Sequence, residues 1–324
     1  MAPNLDPTQA SSYELGWTYN PITGCLNHDN GLCKGGGFPC YAYRLANGRL
    51  KQRYLANDNW PKMILNAGEI DYPVGYHPSQ DPFYPRFWEE RLEDIKPVPS
   101  YEGRFNSGIR SALIESKRKG IFVCDMGDLF GIGVPEDWTS RIMDAIWDND
   151  EYDRFYLLTK QPQNLIRFSP FPDNCWVGVT ATNGRMVDDA GYYLEQIDAK
   201  VKFLSLEPLL EPMLLFFGKP TIDWLIIGAC TGTGIEMLRL AEAYKREDGS
   251  VMPYGNKFTL QPKIEWVQEI VEAADKAGVK VFLKDNLWPL LTGHPEFWED
   301  IPQGNHPNYE SIAELRQEMP TDGV

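Results

Sequence analysis

Cys25, Cys33 and Cys40 fall within sixteen residues, spaced Cys-x7-Cys-x6-Cys in a glycine-rich stretch. Thiolate sulfur is a soft ligand suited to zinc, copper(I) or iron-sulfur clusters. Three thiolates from one flexible loop can take three corners of a cubane cluster and leave the fourth iron open. An amino-acid-like ligand could chelate that iron through its amine and carboxylate. His28 lies between the first two cysteines and offers a competing Cys3His zinc site, although zinc sites favour paired Cys-x2–4-Cys knuckles that this loop lacks. Three unconnected thiols are the remaining reading. Gly31 and Gly35 to Gly37 would let the backbone fold back close to an inorganic group. Cys124, Cys175 and Cys230 stand singly among apolar residues and read as small core residues.

The elements that must position this loop are visible downstream. Short apolar runs recur at Gly120–Cys124, Arg154–Leu158, Cys175–Val179, Val201–Ser205, Asp223–Ile227 and Val279–Leu283. Unalternated runs separated by helical patterns are what parallel strands buried on both faces look like. A strand at Leu15–Tyr19 and another near Met63–Asn66 would bring the total to about eight. Helices are expected over 105–119, 136–148, 185–197 and 263–277. In the last of these, Ile264, Val267, Ile270, Val271 and Ala274 recur at helical spacing and Gly278 supplies a stop. The pattern predicts an α/β chain forming one (β/α) barrel domain, full or partial, over 1–324. Its core would run from about 13 to 288, with insertions near 67–103 and 236–262 and a polar tail over 289–324. On this plan the cysteine loop follows the first strand, at the end where barrel active sites are built.

Composition narrows the function classes. The chain has 324 residues, 43% of them hydrophobic and ten of them Trp, enough for a large core. A formal charge of −15 disfavours tight nonspecific binding to nucleic acid, which needs clustered Lys and Arg. Six cysteines are too sparse for a disulfide scaffold, and no apolar run approaches a membrane span. The expectation is a cytoplasmic protein with no membrane partner.

Several ordered motifs carry a family resemblance. Trp17-Thr-Tyr-Asn-Pro-Ile-Thr-Gly-Cys25, then Cys33 and Cys40-Tyr-Ala42, resembles the phage-type three-cysteine-motif proteins. These are related to radical S-adenosylmethionine enzymes and, more distantly, to spore photoproduct lyase. The likeness continues through Phe122-Val-Cys-Asp-Met-Gly-Asp-Leu-Phe130, Leu158-Thr-Lys-Gln-Pro162, Trp176-Val-Gly-Val-Thr180, Phe203-Leu-Ser-Leu-Glu-Pro-Leu-Leu210 and Asp223-Trp-Leu-Ile-Ile-Gly228. The chain departs from the usual loop, in which two residues separate the last two cysteines. Here Lys34-Gly-Gly-Gly-Phe-Pro39 intervenes.

The resemblance implies a 4Fe-4S cluster on Cys25, Cys33 and Cys40, with S-adenosylmethionine as cofactor. It also implies a reducing electron donor, and a substrate that is either a small molecule or a nucleic acid. Polar residues at the strand ends would then line one mouth as cofactor contacts: Asp125, Asp128, Thr159, Lys160, Thr180, Ser205, Glu207 and Lys284. Thr182, Asn183, Thr231, Thr233 and Asp285 stand at similar junctions. Asp, Ser, Thr and Asn are also favoured there as helix caps and turn formers. Lys160, Glu207 and Lys284 stand apart, because a long charged side chain ending an apolar strand must pair or meet a ligand. Gly228-Ala-Cys-Thr-Gly-Thr-Gly234 lacks both the Walker lysine and the dinucleotide spacing, yet such a loop could pass near adenosine. Phe38, Tyr41 and Tyr43 would shield a cluster or simply pack the rim. Two other classes stay open: a zinc-stabilised binding or adaptor protein, and a metal-free hydrolase using Asp125, Lys160 and Glu207.

Overall fold

A computed structural model of the chain describes residues 13–62, 77–95, 118–149, 153–213, 221–247, 249–292, 294–301 and 312–320. Seven parallel strands form the central sheet: β1 (Tyr13–Tyr19), β6 (Arg118–Val123), β7 (Arg154–Thr159), β8 (Cys175–Thr180), β9 (Val201–Leu206), β10 (Trp224–Ile227) and β14 (Lys280–Leu283). Among the described residues they lie side by side in that order, with β1 and β14 at the two ends, so the described sheet is a partial, open barrel. The six apolar runs and the first strand are all present within a residue or two. The strand expected near Met63–Asn66 lies outside the described residues. So does most of the expected helix at 105–119, whose last two residues belong to β6.

The chain divides into two compact units, the first comprising Met1–Leu26, Ala42–Val177 and Ile197–Lys200 and the second Asn27–Tyr41, Gly178–Gln196 and Val201–Val324. In the first, β1, β6 and β7 pair in parallel register, with Thr18 beside Phe122 and Phe122 beside Tyr156. Between β6 and β7 runs α3 (Glu136–Trp147), after α1 (Tyr41–Asn47) and α2 (Lys51–Leu55) early in the chain. Helix α3 buries Trp138, Ile142, Ala145 and Ile146 on one face, and its first turn holds Glu136 and Asp137, which suit the positive end of a helix. The described part of the Pro-rich 77–95 segment is held by a two-residue antiparallel pairing of β2 (Ile22–Thr23) with β5 (Arg86–Phe87). Arg86 is fully buried there, donating to the carbonyl oxygens of Asn57, Pro78, Asp81 and Tyr84. A guanidinium's fork of donors suits it to stitch irregular backbone in this way.

In the second unit, β9, β10 and β14 pair in parallel, with Ile226 between Ser205 and Phe282. Helix α4 (Gly184–Glu195) follows β8, and α6 (Ile264–Ala277) precedes β14. Val267, Ile270, Val271 and Ala274 form the buried stripe of α6, each larger side chain contributing about 1.5–3 kcal/mol on burial. Gly278 ends that helix at φ +72°, a left-handed conformation costly for any residue with a β carbon. The 236–262 segment holds most of α5 (Gly234–Ala243) and a hairpin of β12 (Val251–Tyr254) and β13 (Lys257–Leu260), which also pairs with β11 (Cys230–Gly232). The tail returns to the β14 edge: Leu283 donates to Arg316, Glu318 donates to Val281, and Phe282 bridges Gln317 in antiparallel fashion. That covers a strand edge that would otherwise present unpaired backbone groups.

Candidate functional site

The cysteine loop begins where β1 ends. Gly24 sits at φ +90°, and a β carbon there would lie 2.5 Å from the carbonyl oxygens of both Phe83 and Tyr84. Its N–H donates to Met126, and the N–H of Cys25 donates to Phe83, each at 2.9 Å. Gly24 also bridges Gly127 just past β6. Cys25 is thereby pinned by backbone bonds on two sides, and only glycine fits the position before it.

Within the second unit, β3 (His28–Asp29) and β4 (Leu32–Cys33) form a hairpin whose two turn residues, Asn30 and Gly31, have φ of 47° and 85°. An Asn-Gly pair with positive φ at both positions is the favoured two-residue hairpin turn. The chain then doubles back. Cys33 donates to Phe38, Cys40 donates to Gly31, and Leu32 bridges Pro39 antiparallel. Pro39 occupies a position where the ladder needs no N–H. Antiparallel alternation puts Cys33 and Cys40 on one face as diagonal neighbours, a relation with α carbons about 7–8 Å apart. The six-residue spacer that departs from the family pattern is a folded turn, closed by a bond from the Gly37 N–H to the Cys33 carbonyl.

All six cysteines are free thiols. Cys33 is buried, and Cys25 and Cys40 are partly exposed. His28 pairs with Cys33 across the hairpin, and its Nδ1 accepts weakly from the Gly31 N–H at 3.4 Å. Among the described residues, no three His, Cys, Asp or Glu side chains converge as a single metal ion would need. An iron-sulfur cube interposes its own iron and sulfide between thiolates, so its ligands stand farther apart than those of one ion. Cys33 and Cys40, two thiols on one face of a fixed turn, are donors of the kind such a cluster takes, and Cys25 lies just ahead of the hairpin in sequence. Cys124, Cys175 and Cys230 are buried as expected, and burial pushes all three thiols upward, the last to about 12.

The predicted strand-end residues separate into two sets. In the first unit, Asp128 is buried, and its carboxylate accepts from the Thr159 hydroxyl at 2.8 Å, the Phe130 N–H at 3.1 Å and the Lys160 N–H at 3.3 Å. Burial raises its pKa above the ordinary carboxylate value, with these bonds opposing. Thr159 in turn accepts from the Gln161 N–H, so the pair holds the turn after β7. Half-buried Asp125 accepts from the Asn20 amide at 2.5 Å, and Asn20 also accepts from the Met126 N–H. Asn20 thus links the ends of β1 and β6.

In the second unit, Thr180 ends β8 and Ser205 lies within β9, both buried. Past β9 and β14, Glu207 and Lys284 meet at 2.7 Å; the lysine side chain is 5% exposed and the glutamate 24%. Asn286 completes the group. Its amide donates to Glu207 at 3.1 Å and to the Ala229 carbonyl at 2.8 Å, while its oxygen accepts from the Ala229 N–H at 3.0 Å. Gln261 donates to the Asn286 carbonyl at 2.7 Å. Neither amide stood out in the sequence, although Asn286 falls two residues past Lys284.

Other candidates have local duties. Asn183 caps α4 by accepting from the Met186 N–H. Thr233 and Glu236 form a reciprocal capping box on α5, whose Thr-x-x-Glu signature was legible in the glycine-rich 228–234 loop. Phe38 packs on a hydrophobic cluster, and Tyr43 meets Phe83 edge to face at 5.5 Å.

The chain is thus a parallel α/β protein with a three-cysteine loop after its first strand. The chain belongs to the family described as Protein of unknown function (DUF5131), whose model matches residues 14–246. No curated protein matches its sequence. Among solved structures, it is similar to spore photoproduct lyase complexed with dinucleoside spore photoproduct, with TM-score 0.45 and 11% identity over 82% of this chain and 76% of that one. It is also similar to a cysteine-to-alanine mutant of that enzyme with the same ligand, with TM-score 0.44 and 12% identity over the same shares.

Proposed function

We propose that this protein is a radical S-adenosylmethionine-type enzyme in which Cys25, Cys33 and Cys40 hold a 4Fe-4S cluster. The observation that carries the reading is the cysteine loop itself. It leaves the C-terminal end of the first strand of a parallel sheet, the end where such folds bind ligands, and holds Cys33 and Cys40 on one face. When bound, the cluster would supply the electron that splits S-adenosylmethionine into methionine and a 5′-deoxyadenosyl radical. A reducing electron donor and a substrate, small molecule or nucleic acid, complete the reaction.

The chain's own residues have separable duties in this reading. The partly exposed Glu207 carboxylate, steered by Lys284 and Asn286, would accept from a cationic amine. Asp125 and Lys160, both half-buried past their strands, would meet polar groups of the cofactor or substrate. Thr180 and Ser205 line the strand ends between them in sequence. Asp128 and Thr159 hold the turn that presents Lys160. Among the described residues no helix is long and apolar enough to cross a membrane.

Purification without oxygen, reconstitution with iron and sulfide, and assay of bound iron, sulfide and zinc would test the reading. Wild type should carry roughly four irons per chain with cluster absorption in the visible range. A Cys25→Ala, Cys33→Ala, Cys40→Ala variant should carry none. Stoichiometric zinc without a stable cluster would overturn the proposal.

A further inference from the structure

The spacer between Cys33 and Cys40 is fastened at three points in the second unit. The Thr182 hydroxyl donates to the Gly35 carbonyl. The Tyr244 hydroxyl, at the end of α5, donates to the Gly36 carbonyl at 2.7 Å. Phe38 and Tyr244 both pack against a buried cluster of Leu210, Cys230, Met237, Leu240, Ala241 and Leu260. The fit is close: at Gly36, φ +132°, a β carbon would lie 2.6 Å from the Thr182 oxygen and 3.3 Å from Leu210 Cδ1. Gly35 is buried despite its place in a polar, glycine-rich loop.

We propose that the Lys34–Pro39 spacer is a clamp, locked by Thr182, Tyr244 and the seat of Phe38, which preforms Cys33 and Cys40 as a fixed pair. Three consecutive glycines would otherwise leave that pair mobile, because glycine loses the most conformational freedom on ordering. The α5 segment and its hairpin supply the seat, so the two departures from a bare barrel, at 34–39 and 236–262, work as one device. Thr182 and Tyr244 are positioning residues: their hydroxyls bond the backbone between the cysteines. The clamp's purpose as a cluster cradle rests on the function proposed above. Its existence does not.

The test uses full-length, metal-free protein under reducing conditions. Alkylation of each cysteine by iodoacetamide would be timed by peptide mass spectrometry in wild type, Tyr244→Phe and Thr182→Val, with urea unfolding run beside it. Each variant deletes one hydroxyl and keeps the side-chain volume nearly constant. Cys33 should react about tenfold faster in either variant, the factor that one lost hydrogen bond is worth. Cys124, Cys175 and Cys230 should keep their wild-type rates. An unchanged Cys33 rate in both variants would overturn the clamp, as would an equal rise at all four buried cysteines, which marks general loosening. On reconstituted protein, the variants should lose iron to a chelator faster than wild type. A wild type that takes up no cluster sinks the proposed function, while the alkylation rates still decide the clamp.

Discussion

Asp128 and Glu207 are both carboxylates placed just past a parallel strand, and the two units treat them in opposite ways. Asp128 is sealed in and meets a hydroxyl and two backbone N–H groups, all neutral donors from the turns around it. Glu207 keeps a quarter of its side chain exposed and faces a lysine that is itself buried. A sealed, neutral-partnered carboxylate shapes backbone. A carboxylate held by a buried cation, with one side open, is the one proposed above to meet a ligand. The same kind of group at the same topological place thus holds backbone in one unit and stays partly open in the other. The cysteine loop offers a second contrast: the backbone N–H groups of Gly24 and Cys25 are tied to neighbouring carbonyls, whereas the spacer between Cys33 and Cys40 is also held by the Thr182 and Tyr244 hydroxyls, which can be edited one at a time.

The largest break in that picture is expected at Gly24. Gly24→Ala would drive a β carbon into two carbonyl oxygens at a left-handed backbone position, so more than about 4 kcal/mol should be lost. Urea unfolding would measure it, and a loss under about 1 kcal/mol would show that this segment yields easily. Next comes Glu207→Gln, which leaves the buried Lys284 without its counter-ion and should cost about 3 kcal/mol. Lys284→Met should cost less, because the glutamate left behind reaches water. The reverse order in denaturant titrations would undo the assignment of Glu207 as the open partner.

Asp128→Asn should cost about 2 kcal/mol, since an amide nitrogen cannot accept from donors that met a carboxylate oxygen. This site also carries a pH signature. Burial raises the folded pKa of Asp128 above its unfolded value. The folded state therefore binds the proton more readily, and the group's contribution is full below the ordinary aspartate value and falls as pH rises through the folded pKa. Wild-type stability relative to Asp128→Asn should decline with rising pH across that window; a rise instead would mean the hydrogen bonds outweigh burial. The smallest effect belongs to Thr233→Ala, which removes one half of the α5 capping box and should cost about 1 kcal/mol by the same titrations.

The amino-acid order alone determined a good deal. Buried parallel strands need unbroken apolar runs, so β6 to β10 and β14 were readable to within a residue or two, as was α6 with its Gly278 stop. The three cysteines stood out as candidates by type and spacing. Two signals were present but unread: Asn30-Gly31 as a hairpin turn and Thr233-x-x-Glu236 as a capping box. The remainder has no local signature. Asn20 meets Asp125 across 105 positions, Asn286 meets Glu207 across 79, and Thr182 meets Gly35 across 147. An amide or hydroxyl carries no mark of the partner that folding will bring to it. Only the tertiary structure decided which strand-end polar group is spent on backbone, which stays open, and which side chains a run of glycines is tied to.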